Sequence, residues 1–353
     1  MQDFQNIYDN SNKKKRSGQF KQMIKALGPA FGPALFLLLP GAYLSRLRGL
    51  RSPFSPTLYK RRRVLPKVLL DGCVLPNEPY LRPTLFCDCH APEIIALADK
   101  FRSNASNDWD YALSIYNFVR NDICYAIESF PWRGAVGTLE MGCGFCIDKA
   151  NVLVALARAG GIPARYCQIG NVSAFNVETV PWLREYAHQF QMWGKSTDWR
   201  LRKIGSGIMR RVKQQDEVGF ENAFWVGEHI MAELKIGNSW ILADPTWSDE
   251  EAIAHGMPLP RLGYDPIALF GLKGVVVDRS EVFQVGRSFW VMRWLLCLVG
   301  RGLLDIVNQA FEERRQEGRK LLAEIGEKEY MRRMQRYYIP LPQAVGFDIS
   351  LVA

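Results

Sequence analysis

Three side chains in this sequence, Cys146, His229 and Asp244, could between them carry out nucleophilic chemistry. A thiol becomes a strong nucleophile when it ionises, an imidazole can take and return its proton, and a carboxylate can fix the tautomer and orientation of the imidazole. Taken singly, each has a plainer explanation. Free cysteine is among the most buried residue types, a strand histidine can be a satisfied packing residue, and an aspartate before Pro245 is a common turn former. What favours chemistry is that the elements around them would set all three in one place.

Cys146 opens a helix. It follows the glycine-rich turn Gly142-Cys143-Gly144-Phe145, and Ala150, Leu153, Val154 and Ala157 then recur at helical spacing, with Val152, Ala155 and Leu156 on the flanks. Such a helix is apolar around most of its circumference and must be central. Gly160-Gly161 supplies a left-handed stop and Pro163 blocks a restart. The unpaired N–H groups and the positive dipole end at the helix start favour an anion, so a thiol there is drawn toward its reactive thiolate. Cys143 lies one turn too early for that position.

His229 and Asp244 fall on a predicted hairpin. Ile230, Ala232, Leu234 and Ile236 alternate on one strand face, which puts His229 on the other. Gly237-Asn238 is a two-residue turn signal, and Trp240-Ile241-Leu242-Ala243-Asp244 returns as the partner strand. A two-residue loop pairs Ile236 with Ser239. Continued along the ladder, that register sets Asp244 against Met231 and His229 against Thr246. His229 and Asp244 are then diagonal neighbours on one face, with backbones about 7–8 Å apart. A slip of one residue would put them on opposite faces. The other histidines, His90, His188 and His255, have no such acidic neighbour by this reading.

The remaining sequence bounds the class of protein. A chain of 353 residues that is 48% hydrophobic and 12% aromatic buries a sizeable core. The eight cysteines (Cys73, Cys87, Cys89, Cys124, Cys143, Cys146, Cys167 and Cys297) are too scattered for a disulfide scaffold and fit a reducing, cytoplasmic setting. The net charge of +9 is unevenly placed: residues 1–63 hold thirteen Lys or Arg against Asp3 and Asp9, a balance of +11, which leaves −2 for the other 290 residues. The basicity therefore belongs to an N-terminal arm, 1–65, and no nucleic-acid-binding motif accompanies it. An uncharged run from Ala26 to Ser45 is broken by Gly28-Pro29, Gly32-Pro33 and Pro40-Gly41, which makes a poor spanning helix, and no clear cleavage site marks a signal peptide. The arm, through residues 13–63, is expected to lie on an anionic membrane surface or over a groove on the body, with a partly ordered extension as the plain alternative.

Short helices are expected from Pro92 to about Phe101 and after an Asn107 or Asp108 cap, followed by a strand near Ile123–Ile127 and a loop over Pro131–Thr138. Cys87-Asp88-Cys89-His90 lacks the second ligand pair that a zinc site would need, and no metal or cofactor is expected. Residues 171–224, which contain Trp182, Trp193 and Trp199, are too long for a simple connection and read as a partly helical insertion. Val275-Val276-Val277 reads as a further strand. Residues 286–353 form a helical C-terminal extension in which the apolar stretch Phe289–Val299 packs on the body and the charge-rich Glu312–Arg336 reads as a solvated helix.

Three blocks in order, Gly144-Phe145-Cys146-Ile147-Asp148-Lys149-Ala150 through Gly161-Ile162-Pro163-Ala164-Arg165, then Glu228-His229-Ile230-Met231-Ala232-Glu233-Leu234, then Trp240-Ile241-Leu242-Ala243-Asp244-Pro245-Thr246-Trp247, resemble the transglutaminase-like superfamily. The resemblance covers about residues 85–250, within a catalytic domain drawn at 66–285. It implies a papain-like α+β fold with the cysteine on a helix packed against an antiparallel sheet. It further implies Cys146 as nucleophile, His229 as base and acid, and Asp244 as orienter. The chemistry implied is acyl transfer through a thioester, most simply hydrolysis of peptide or isopeptide amides in a peptide or protein substrate. Transglutamination is the alternative enzyme activity, and a non-catalytic binding module that keeps the fold is the alternative class. The backbone N–H of Cys146 is the expected contributor to an oxyanion site.

Overall fold

Capping groups place the first helices. The computed structural model describes residues 78–84, 86–126, 134–174, 191–199, 202–203, 205–206, 229–269, 272–281 and 301–341. In it α1 spans Pro92–Arg102 and α2 spans Asp108–Asp122. Pro92 suits the first turn of α1 because the N–H it lacks would have had no intrahelical acceptor. Asn107 caps α2, its side-chain oxygen accepting the Asp110 N–H at 2.9 Å. Strand β1 (Cys124–Tyr125) follows and runs parallel to β2 (Cys143–Gly144).

Between these two strands the chain forms helix α3, Gly134–Met141. The loop expected over Pro131–Thr138 is thus corrected from Gly134 onward. The cause is a cap delivered from far back in the sequence: Asp88 Oδ1 accepts the Ala135 N–H at 2.7 Å and Oδ2 accepts the Val136 N–H at 3.1 Å. Donors of the first turn that would otherwise be orphaned are satisfied. Asp88 is a helix cap here, and its neighbours Cys87 and Cys89 are buried in the main apolar core.

Helix α4, Cys146–Ala159, is the axis of the molecule, and every residue from Cys146 to Arg158 is buried. Two glycines end it for different reasons. A Cβ at Gly160 would lie 2.2 Å from the ring of Tyr111, and Gly161 adopts φ +85°, which favours glycine. The chain then enters β3 (Ala164–Ala174), and β4 (His229–Ile236), β5 (Ser239–Ala243) and, after the short helices α5 (Asp249–Ala254) and α6 (Pro266–Leu269), β6 (Leu272–Ser280) complete a sheet. Its order is β5-β4-β3-β6, with every neighbouring pair antiparallel. The β4–β5 ladder runs from Ile236↔Ser239 to Ala232↔Ala243, the register that a two-residue turn dictates, and Gly237 takes φ +58° in that turn.

Helix α4 packs against α1, α2, α3, β3 and β4. Ile230, Ala232, Leu234 and Ile236 share the main core with Leu153, Val154 and Ala157, whereas Met231 joins Cys167 and Ile169 in a second cluster. The molecule is therefore mixed α+β, with an antiparallel sheet against a central helix.

The C-terminal segment forms α7 (Arg301–Ile325) and α8 (Glu327–Arg333). The solvated helix expected over Glu312–Arg336 is corrected on one face, which docks against α5. Arg315, 4% exposed, donates from Nε and Nη2 to Glu251 Oε1 at 3.1 and 3.0 Å. Backbones approach closely at Gly318, where a Cβ would sit 1.7 Å from the carbonyl oxygen of Glu250. Tyr330 Oη then donates to the Met257 carbonyl at 2.9 Å, and the Leu341 N–H to the Gly263 carbonyl at 2.8 Å, so the chain end returns along residues 257–263.

The N-terminal arm, 1–65, the apolar stretch 289–299, the 286 boundary and most of the 171–224 insertion lie outside the described residues. Among the described residues no helix is long and apolar enough to cross a membrane.

Candidate active site

Cys146 is the first residue of α4 and is 4% exposed. The turn before it is fixed by Asp148, whose Oδ2 accepts the Phe145 N–H at 2.9 Å. The N–H of Cys146 belongs to the first helical turn, where no intrahelical acceptor exists. Cys143, by contrast, sits in β2 with its thiol packed beside Ala126.

His229 opens β4, and its Nε2 lies 2.7 Å from Asp244 Oδ2. The Cys146 side chain also interacts with this ring, and that interaction favours the charged imidazole. The structure thus brings all three sequence-predicted site residues together.

Asp244 lies one residue beyond β5 and is 1% exposed. Past the end of the ladder its position depends on neighbouring side chains. Thr246 donates to Oδ1 twice, from its backbone N–H at 3.0 Å and from its hydroxyl. Tyr116 Oη on α2 donates to the Asp244 carbonyl at 3.0 Å.

Electrostatics favour the ionic form of the pair. Burial works against a charged His229, but the Asp244 carboxylate and the Cys146 side chain outweigh it and raise the imidazole pKa well above its usual value. Burial likewise works against a charged Asp244, and His229 and Thr246 overcome it, lowering the carboxyl pKa.

Sequence reasoning missed the supports of this site. Thr246 and Tyr116 carry no signature that marks them as partners of Asp244. Lys149 did leave a signal: it is a charge inside a helix read as apolar around most of its circumference. Tyr125 stacks on Trp247 at 4.7 Å between ring centroids and meets Phe145 at 5.6 Å, joining the turn before Cys146 to the loop after Asp244. Among the described residues no group of three or more His, Cys, Asp or Glu could hold a metal ion.

A cysteine at the head of a central helix, opposite a histidine and an aspartate on an antiparallel sheet, defines a papain-like α+β arrangement. Residues 95–245 match the family model described as the transglutaminase-like superfamily. The match supports a cysteine enzyme in general terms. One similar solved structure is described as "a Putative Cysteine Protease from Cytophaga hutchinsonii"; it is 20% identical with a TM-score of 0.34, and the alignment covers 57% of this chain. The chain spans 46% of that protein's length. No curated protein matches the chain.

Proposed function

We propose that the protein is a cysteine-nucleophile acyl-transfer enzyme that hydrolyses peptide or isopeptide amides. The observation that carries this reading is the continuous arrangement of Cys146, His229 and Asp244, with the imidazole between the thiol and a buried carboxylate. In the proposed reaction the Cys146 sulfur attacks the amide carbonyl, forming a carbon–sulfur bond and a tetrahedral oxyanion, for which the Cys146 N–H is the proposed donor. His229 gives its proton to the departing amine as the carbon–nitrogen bond breaks, leaving a thioester. Water then loses a proton to His229 as its oxygen bonds to the thioester carbon, and the carbon–sulfur bond breaks, releasing the acid and returning the Cys146 thiolate beside the protonated His229. Asp244 keeps the imidazole turned toward the sulfur throughout.

The test is competitive alkylation of the full chain with iodoacetamide at limiting concentration, read at each cysteine by mass spectrometry. It is followed by assay of a peptide-amide library with the native protein and with Cys146→Ala. Preferential labelling of Cys146 and loss of amide cleavage in the variant are expected. Labelling of Cys146 no faster than that of Cys124, together with unchanged cleavage by the variant, would sink the reading. Amine incorporation in place of hydrolysis, measured with a primary amine in the same assay, would move it to transglutamination.

A further inference from the structure

Lys149 lies in α4, three residues after Cys146, and is completely buried. A lysine is rarely buried unless something holds its ammonium, because desolvating a charge is costly. Here Nζ donates to the carbonyl oxygen of Thr246 at 2.9 Å and to that of Arg120, near the end of α2, at 3.0 Å. Thr246 in turn donates twice to Asp244 Oδ1, and Asp244 Oδ2 meets His229 Nε2. His229 returns to Cys146. The contacts form a closed ring that starts and ends on one turn of α4.

We infer that Lys149 is a positioning residue of the site, pinning the Asp244–Thr246 segment to the helix that carries Cys146 so that Asp244 is held against His229. The need for such a pin follows from the sheet. Regular pairing between β4 and β5 stops at Ala232↔Ala243, so no ladder hydrogen bond fixes the backbone at Asp244. Tyr116 anchors the Asp244 carbonyl from α2, and Lys149 anchors the carbonyl two residues further on from α4. Burial pushes the Lys149 pKa down to about 8, with Arg315 and Arg120 adding to the effect, while Glu251 and Cys124 oppose it. The charge is thus held in a place that disfavours it.

This inference rests on Cys146, His229 and Asp244 being the reactive site, and the experiment separates the two. The rate of Cys146 alkylation by iodoacetamide is measured against pH on the full chain, for the native protein, Lys149→Met, Lys149→Gln, Asp244→Asn and the Lys149→Met/Asp244→Asn double variant. Native-like near-ultraviolet dichroism is required of each. If the native protein shows no enhanced Cys146 reactivity at neutral pH, the reactive-site reading itself fails. If it does, the pH profile of Lys149→Met should move toward that of Asp244→Asn, with the rate near neutrality lower by roughly 10- to 100-fold, the scale on which a small misplacement acts. Lys149→Gln, which keeps one N–H donor, should fall between, and the double variant should be no slower than Asp244→Asn alone. A native profile in both single variants, or additive losses in the double, overturns the assignment. Failure of both single variants to fold would assign Lys149 to the fold and equally overturn it.

Discussion

Asp244 Oδ2 lies 2.7 Å from His229 Nε2, yet the aspartate stands one residue past the last paired position of its strand. The contact is therefore built by the loop that follows and not by the ladder. Replacing Asp244 with Asn would keep the shape but remove the charge that sustains the imidazolium. We expect amide cleavage by Asp244→Asn to fall on the order of 10²-fold in kcat with little change in KM, measured by steady-state kinetics on any peptide amide the native protein cleaves.

The same pair predicts a pH window of stability. A histidine whose folded pKa is raised above its ordinary 6.5 contributes stability fully present below that value and lost as pH rises through the raised one. An aspartate whose folded pKa is depressed below 3.8 contributes stability present above that value and lost as pH falls through the depressed one. The pair's contribution should thus be a plateau that declines on both sides. Thermal unfolding from about pH 3 to pH 10 should show it in the native protein, and the difference between native and Asp244→Asn should shrink at both extremes.

Glu251 and Arg315 form a buried ion pair between α5 and α7, and Glu251 also accepts the Tyr125 N–H at 3.2 Å. Its carboxyl pKa is lowered because Arg315 and Lys149 overcome the burial that would raise it. Arg315→Met would leave a buried carboxylate poorly compensated and should cost about 3–5 kcal/mol in a denaturant titration. The double change Arg315→Met with Glu251→Gln should cost less than Arg315→Met alone, because the unpaired charge is gone.

Gly318 offers a test of how tightly α7 is docked. Alanine is the better helix former by about 1 kcal/mol, so Gly318→Ala would stabilise a free helix. A Cβ there meets the Glu250 carbonyl oxygen at 1.7 Å, and backbone cannot yield as a side chain can. The variant should therefore unfold at lower temperature, by an amount matching roughly 1–3 kcal/mol or more. A rise in Tm would contradict the packing of α7 on α5.

The helix from Cys146 and the hairpin from His229 were both legible because their signals are local. Apolar spacing and a Gly-Gly stop mark the first, and a two-residue turn at Gly237-Asn238 fixes the register of the second. Helix α3 was not legible, since two of its eight residues are glycines and its capping carboxylate comes from Asp88. The docking of α7 was equally hidden. Arg315 looks like any other charge in a charged helix until Glu251 is seen beside it.

The sequence by itself determined which residue types could react and which local elements carry them: a cysteine at a helix start, and a histidine and an aspartate of matching parity on a hairpin. Only the tertiary structure decided that the helix start meets the hairpin end, that Asp244 is held by Thr246, and that Lys149 ties that segment back to α4. The physical reason is the nature of the partners. Periodicity and turn chemistry act between residues a few positions apart and are written in residue type. Lys149 instead binds main-chain carbonyls at Arg120 and Thr246, groups that every residue possesses, so only their arrangement in space distinguishes them.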